Sequence, residues 1–221
     1  FSLYSIPPGW RCLPGVIALW LMASAGYGVT VENNFEGGNA RLLAWDRRHN
    51  RIVLGSERKR DDSLAIHLYC AVSRFDARRE LEITISNLVP PRGVYVRESS
   101  QDWRQIQSVS AGRYRSRFPS GRVEIAIMPP YPHARLVRWM QGLHPAQHVV
   151  LGTTPDGNRL SAILVKPADA GRETPLVMLL ARQHAFEQAA SWVTEGMLDF
   201  FLSNEPEARH FRSRTVLAVV P

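Results

Sequence analysis

The chain has 221 residues, 45% hydrophobic and 21% charged, with a formal net charge of +7. That composition excludes disordered, collagen-like and low-complexity classes and leaves room for one large folded unit or two small ones. The basic excess is almost all arginine and is scattered (Arg41, Arg51, Arg79, Arg104, Arg122, Arg159) without a basic stripe or interleaved aromatic residues, so nucleic acid is not an expected partner.

Near the start, Arg11 precedes the apolar run Val16 to Ala23, and Ala23-Ser24-Ala25 supplies small residues at a cleavage-like spacing. A charge, a short apolar stretch and a small-residue site predict a signal peptide over residues 1–25 and a periplasmic or secreted mature protein, with a cytoplasmic one as the alternative. The run is too short for a permanent membrane span, and no other segment could form one. The chain opens on Phe1 and closes on Pro221 directly after an apolar strand pattern, which reads as a piece open at both ends. Two cysteines, Cys12 and Cys70, cannot make a disulfide framework or a cysteine-based zinc knuckle. Cys70 lies in the apolar pattern Leu64 to Val72 and is predicted to be a buried, inert thiol.

From Val29 to Met128 the pattern is that of β-structure. Strands are predicted at Ala40 to Trp45, Arg51 to Leu54, Leu64 to Val72, Glu80 to Leu88, Val94 to Arg97, Trp103 to Val109 and Arg122 to Met128. Turn residues separate them, such as Gly37-Gly38 and Pro119-Ser120-Gly121. Short strands at this spacing predict an antiparallel β-sandwich over residues 29–130.

Pro129-Pro130-Tyr131-Pro132 breaks the pattern, and His133 to Gln141 reads as a short helix closed by Gly142. Strands follow at Gln147 to Thr153 and Leu160 to Val165, around the turn Thr154-Pro-Asp-Gly157. Pro175 to Ala181 is apolar on both faces, as in a strand deep inside a sheet covered by helices. Phe186 to Ser203 is predicted as a helix with Trp192, Met197, Phe200 and Phe201 on or near its apolar face, Pro206 starts a short helix to about Arg212, and Thr215 to Val220 is another buried strand. Strand, helix, strand predicts an α/β unit over residues 143–221. The fold class is therefore mixed: a β-sandwich followed by α/β structure, with a boundary between Tyr131 and Leu143.

The candidate chemistry sits at His184 and Glu187, three residues apart where a buried strand gives way to a helix. Ligands in such sheets gather outside the carboxyl ends of the strands. A histidine and a glutamate there can close on one metal ion, and hydrolytic zinc takes three protein ligands plus a water. Each also has a plainer reading: Glu187 suits the exposed N–H groups of a first helical turn, and His184 could be a satisfied polar residue at a strand end. His49, His67, His133, His144, His148 and His210 read as structural or surface residues; Arg182 could face substrate carboxylates, with a strand-end salt bridge as its plainer reading.

The series Ala181-Arg-Gln-His184-Ala-Phe-Glu187, then Ser191-Trp192, Glu195 to Arg209 and Val216 to Pro221 resembles the zinc carboxypeptidases of the M14 peptidase family. It looks most like the cytosolic carboxypeptidases and their bacterial relatives, whose ligand motif is usually Ala-Arg-x-His-Pro-Gly-Glu. Members carry a β-sandwich directly before a phosphorylase/hydrolase-like α/β peptidase domain. The resemblance implies that His184 and Glu187 are the first two zinc ligands of a metallocarboxypeptidase acting on the C-terminus of a peptide or protein. It also implies a third ligand histidine, a substrate-binding arginine and a general-base glutamate, none of which matches a position up to Pro221. Ala185 and Phe186 depart from the family's Pro-Gly, and the resemblance implies that Phe186 adds bulk near the metal, which bears on substrate preference. A binding or scaffold protein that keeps the fold without catalysis is the alternative.

Overall fold

The computed structural model describes residues 28–56, 67–86, 92–99, 101–143, 147–184 and 186–221. The expected signal peptide, Cys12, His144 and Ala185 lie outside the described residues.

The first region is built from β1 (Thr30–Glu32), β2 (Ala40–Asp46), β3 (Arg51–Ser56), β4 (Tyr69–Ser73), β5 (Glu80–Ser86), β6 (Gly93–Arg97), β7 (Arg104–Ser110), β8 (Arg113–Arg117) and β9 (Arg122–Ala126). Where the expected sandwich calls for two separate sheets, these strands form one continuous sheet in the order β1-β4-β9-β6-β7-β8-β5-β3-β2. β7 turns the corner: Arg104 to Gln107 pair with β6, whereas Ser108 and Ser110 pair with β8 across a register shift. The two terminal strands come back together, and Asn33 Nδ2 donates to the carbonyl of Ala40 at 3.0 Å, so the sheet nearly closes into a barrel. Alternation puts Ile52, Leu54, Leu81, Ile83, Val94, Val96 and Ile125 into a single core with Tyr114 and Phe118.

Two strands escape the sequence reading. β1 is three residues long. β8 reads Arg-Tyr-Arg-Ser-Arg, and its arginines mask a strand whose one large inward residue, Tyr114, is fully buried opposite Ile83. The expected antiparallel order also fails once, because β3 and β5 run parallel. Between them the chain crosses to the other wall as β4, which pairs with β1 and β9, and it returns in the original direction.

The second region contains α1 (His133–Gln141), β10 (Gln147–Thr153), β11 (Arg159–Val165), β12 (Leu176–Leu180), α2 (Gln188–Leu202), α3 (Pro206–Arg212) and β13 (Val216–Val220). Its sheet runs β10-β11-β13-β12, with β12 and β13 parallel and the other pairs antiparallel. Met140, Leu143, Ile163, Leu198, Leu217 and Val219 form its core. The expectation that Pro175 to Ala181 is buried on both faces is corrected. β12 is the last strand of the described sheet, and Leu176, Met178 and Leu180 are all more than half exposed. Its free edge and outer face have no cover among the described residues. No helix among them is long and apolar enough to cross a membrane.

Candidate metal centre

β12 delivers the chain to the site. Its exit is fixed by Ala181 N, which donates to the carbonyl of Val220 at 2.9 Å and extends the pairing with β13 by one bond. Arg182 then takes a left-handed backbone conformation (φ 52°), uncommon for a residue with a side chain. That turns the chain out of the strand direction and into the short loop before α2.

Within this loop His184 and Glu187 close on each other. Glu187 N donates to the carbonyl of His184 at 3.1 Å, and His184 N donates to Glu187 Oε2 at 3.0 Å. His184 Nδ1 lies 3.0 Å from Glu187 Oε1. Since an ionised carboxylate only accepts, Nδ1 carries the proton in this arrangement. The imidazole's bond, followed by the His184 backbone N–H, holds the Glu187 carboxyl below the usual carboxylate range. Glu187 therefore stays ionised at neutral pH. It occupies the N-cap position of α2 and not its first turn, and its side chain makes no cap bond.

The pair is open to solvent, with side-chain exposures of 64% for His184 and 37% for Glu187. Two ligands each about 2.0–2.2 Å from one zinc ion stand roughly 3–3.5 Å apart. The observed separation, with an imidazole nitrogen and an ionised carboxylate as donors, fits that requirement. Phe186, the bulky departure from the family motif, lies flat against the His184 ring, with centroids 5.3 Å apart and planes 8° from parallel. It leaves Nδ1 turned toward Glu187. No third His, Cys, Asp or Glu joins the pair among the described residues.

The remaining described histidines stand elsewhere. His49 Nδ1 meets Asp46 Oδ2 at 2.6 Å in the β2–β3 turn, His133 opens α1, His148 is exposed on β10 and His210 is exposed on α3. His67, just before β4, holds its Nε2 3.0 Å from the carbonyl of Gly37. Burial, chiefly, and the charge of Arg182 push the His67 pKa down, against the Gly37 carbonyl, which favours the protonated ring.

Sequence reading misses Tyr131 and Gln188 behind the loop, and it names Arg182 without the contact it makes. Arg182 Nη1 donates to the carbonyl of Tyr131 at 2.7 Å, and Tyr131 N donates to Gln188 Oε1 at 2.6 Å. Gln188 and Tyr131 are both buried. One signal was available: in Pro129-Pro130-Tyr131-Pro132 only Tyr131 has a main-chain N–H, so that donor needs a partner once buried.

No protein-family model matches the chain. It is 42% identical to human cytosolic carboxypeptidase 1 over 50 residues, which is 23% of this chain and 4% of that protein. It is 28% identical over 203 residues to an uncharacterised protein of Zymomonas mobilis, covering 85% of this chain and 51% of the relative. The fold is similar to that of a metallo-carboxypeptidase from Burkholderia cenocepacia, with a TM-score of 0.75 and 21% identity over 88% of this chain and 55% of that one. The chain thus spans about half the length of the structure and of the Zymomonas relative, and a small part of the human protein. The likeness establishes a metallo-carboxypeptidase fold.

Proposed function

We propose that this chain supplies the first part of a zinc metallocarboxypeptidase that hydrolyses the C-terminal bond of peptides or protein tails. The observation that carries the reading is the 3.0 Å approach of His184 Nδ1 to Glu187 Oε1 at the carboxyl end of β12. Residues 29–130 form the accessory β-domain in this reading, and residues 143–221 begin the catalytic domain. The matches covering about half of a longer neighbour support a catalytic unit that extends beyond these residues.

The chain's own contribution is to bind and orient. Glu187 presents a carboxylate already ionised, and His184 presents Nδ1 in the tautomer that carries the ring proton on Nε2. The ion, when bound, supplies Lewis acidity toward the scissile carbonyl and toward a water. Phe186 stacks against the His184 ring and sets an apolar wall beside it. Residues that hold the substrate carboxylate and move the proton to the leaving amine are assigned to the rest of the catalytic unit.

The test is His184→Ala and Glu187→Ala in the full-length protein. Both variants should lose bound zinc and nearly all peptide hydrolysis; retention of zinc and activity by both would remove the assignment. We also place the mature protein outside the cytoplasm, from Arg11, the apolar run and Ala23-Ser24-Ala25. Mass spectrometry of the native N-terminus decides this: cleavage near Ala25 supports export, and a retained Arg11 to Trp20 overturns it.

A further inference from the structure

The loop that carries His184 and Glu187 is tied on both sides to one residue of another segment. Upstream of the pair, Arg182 Nη1 donates to Tyr131 O at 2.7 Å. Downstream, the buried Gln188 accepts from Tyr131 N at 2.6 Å. One residue's carbonyl and N–H thus hold the two ends of a seven-residue span, from Arg182 to Gln188.

The anchor is stiff for a covalent reason. Proline at 129, 130 and 132 fixes φ at those positions. Pro132 also restricts Tyr131 to extended backbone. The Tyr131 ring is buried edge-on against Trp192, with centroids 5.1 Å apart, and Trp192 Nε1 donates to Pro129 O at 3.0 Å. The anchor is carried by the nine-stranded sheet: β9 ends at Ala126, and Ile127 N, two residues before Pro129, donates to the carbonyl of Leu68 at 3.1 Å. Gln188 Nε2 is 3.4 Å from His67 Nε2, next to β4. The left-handed Arg182 sits inside this frame. Such a conformation is strained for a residue with a side chain and persists where the surroundings over-determine it.

We propose that Arg182 and Gln188 are positioning residues, and that through Tyr131 the nine-stranded sheet sets the separation of His184 and Glu187 and hence the metal affinity of the site. The inference rests on the zinc reading above. It makes the sheet an integral part of the metal centre instead of a separate appendage.

The experiment uses the full-length protein and two probes: zinc affinity by chelator competition, and the visible absorption of the cobalt(II)-substituted protein, which reports ligand geometry. Gln188→Met keeps the length and removes the acceptor. Gln188→Glu keeps an acceptor for Tyr131 N–H. Arg182→Gly removes the guanidinium at a φ that glycine adopts freely. Gln188→Met and Arg182→Gly should bind both metals about 10–100-fold more weakly, the range for groups that orient ligands, with altered cobalt spectra. Gln188→Glu should stay within a few-fold of the parent. Unchanged affinity and spectra in both Gln188→Met and Arg182→Gly, whatever their melting temperatures, would overturn the proposal and leave the contacts a purely structural role. Should Gln188→Met not fold, Arg182→Gly decides alone. His184→Ala run in parallel separates the two readings: if it binds zinc as the parent does, the zinc assignment falls and this inference falls with it.

Discussion

The two sheets handle their apolar residues differently. In the nine-stranded sheet the edges return to each other, and Ile52, Leu54, Leu81, Ile83 and Ile125 have no exposed surface. In the four-stranded sheet one face packs on Leu198 and Met140, while the last strand leaves Leu176 62% and Met178 58% exposed. The first region completes its own core. The second carries the candidate metal ligands and presents an apolar edge of the kind that proteins normally cover or pair. The closed core and the candidate chemistry thus lie in two regions, which meet at Tyr131.

The largest expected effect tests whether the first core is closed. Phe118 is fully buried with its ring edge-on to Phe75, at a centroid distance of 6.2 Å. Phe118→Ala should cost about 3–5 kcal/mol in denaturant unfolding. A cost below about 1 kcal/mol would mean that this region is as open as the other.

The next concerns the exposed strand. Met178→Ala should change the stability of the 221-residue chain by no more than about 0.5 kcal/mol, as is usual for a surface position. Our proposal of a longer catalytic unit implies a cover for β12, and in that longer protein the same change should cost about 2–5 kcal/mol. Equal effects in the two lengths would show that the strand is a true surface.

A smaller effect concerns charge. Glu82 is buried on β5 with Arg51 Nε at 2.5 Å from Oε1 and Arg115 Nη2 at 2.5 Å from Oε2. Burial pushes its pKa up, but the Arg115 hydrogen bond and the charges of Arg51 and Arg115 outweigh it, and the net shift is downward. A folded pKa below the unfolded one stabilises fully above the usual carboxylate range, and that stabilisation is lost as pH falls through the lowered folded value. Glu82→Gln should cost about 1–3 kcal/mol at neutral pH. The gap in melting temperature from the parent should shrink on acidification; a gap independent of pH would refute the pairing.

The smallest is a reactivity. Burial pushes the Cys70 thiol up to about 12. In a Cys12→Ser background a thiol reagent at mildly alkaline pH should label Cys70 only as the protein unfolds, since the thiolate is the reacting form. Prompt labelling of the native protein would show that the first core opens readily.

Legibility followed the range of the interactions. The helix His133–Gln141 and its stop at Gly142 were readable from residues within a turn of each other, and the structure has the same bounds. The strands β2, β3, β6 and β7 were readable from alternation. The spacing of His184 and Glu187 was readable too, as was the resemblance that makes them candidates. β8 was not, because three arginines on its outward face hide a single inward tyrosine. The burial expected of β12 failed because an apolar strand declares that it needs partners, not that they are present.

What the sequence determined by itself is local: which segments alternate, where proline and glycine end them, and that an imidazole and a carboxylate stand three residues apart. Those properties depend on covalent geometry and on neighbours a few residues away. The tertiary structure alone decided that β3 and β5 run parallel, that β7 turns the sheet back on itself, and that Gln188 meets Tyr131 across 57 positions. Such pairings depend on which buried donor finds which acceptor after the chain has collapsed. No periodicity within one segment encodes that choice, because the partner lies on another.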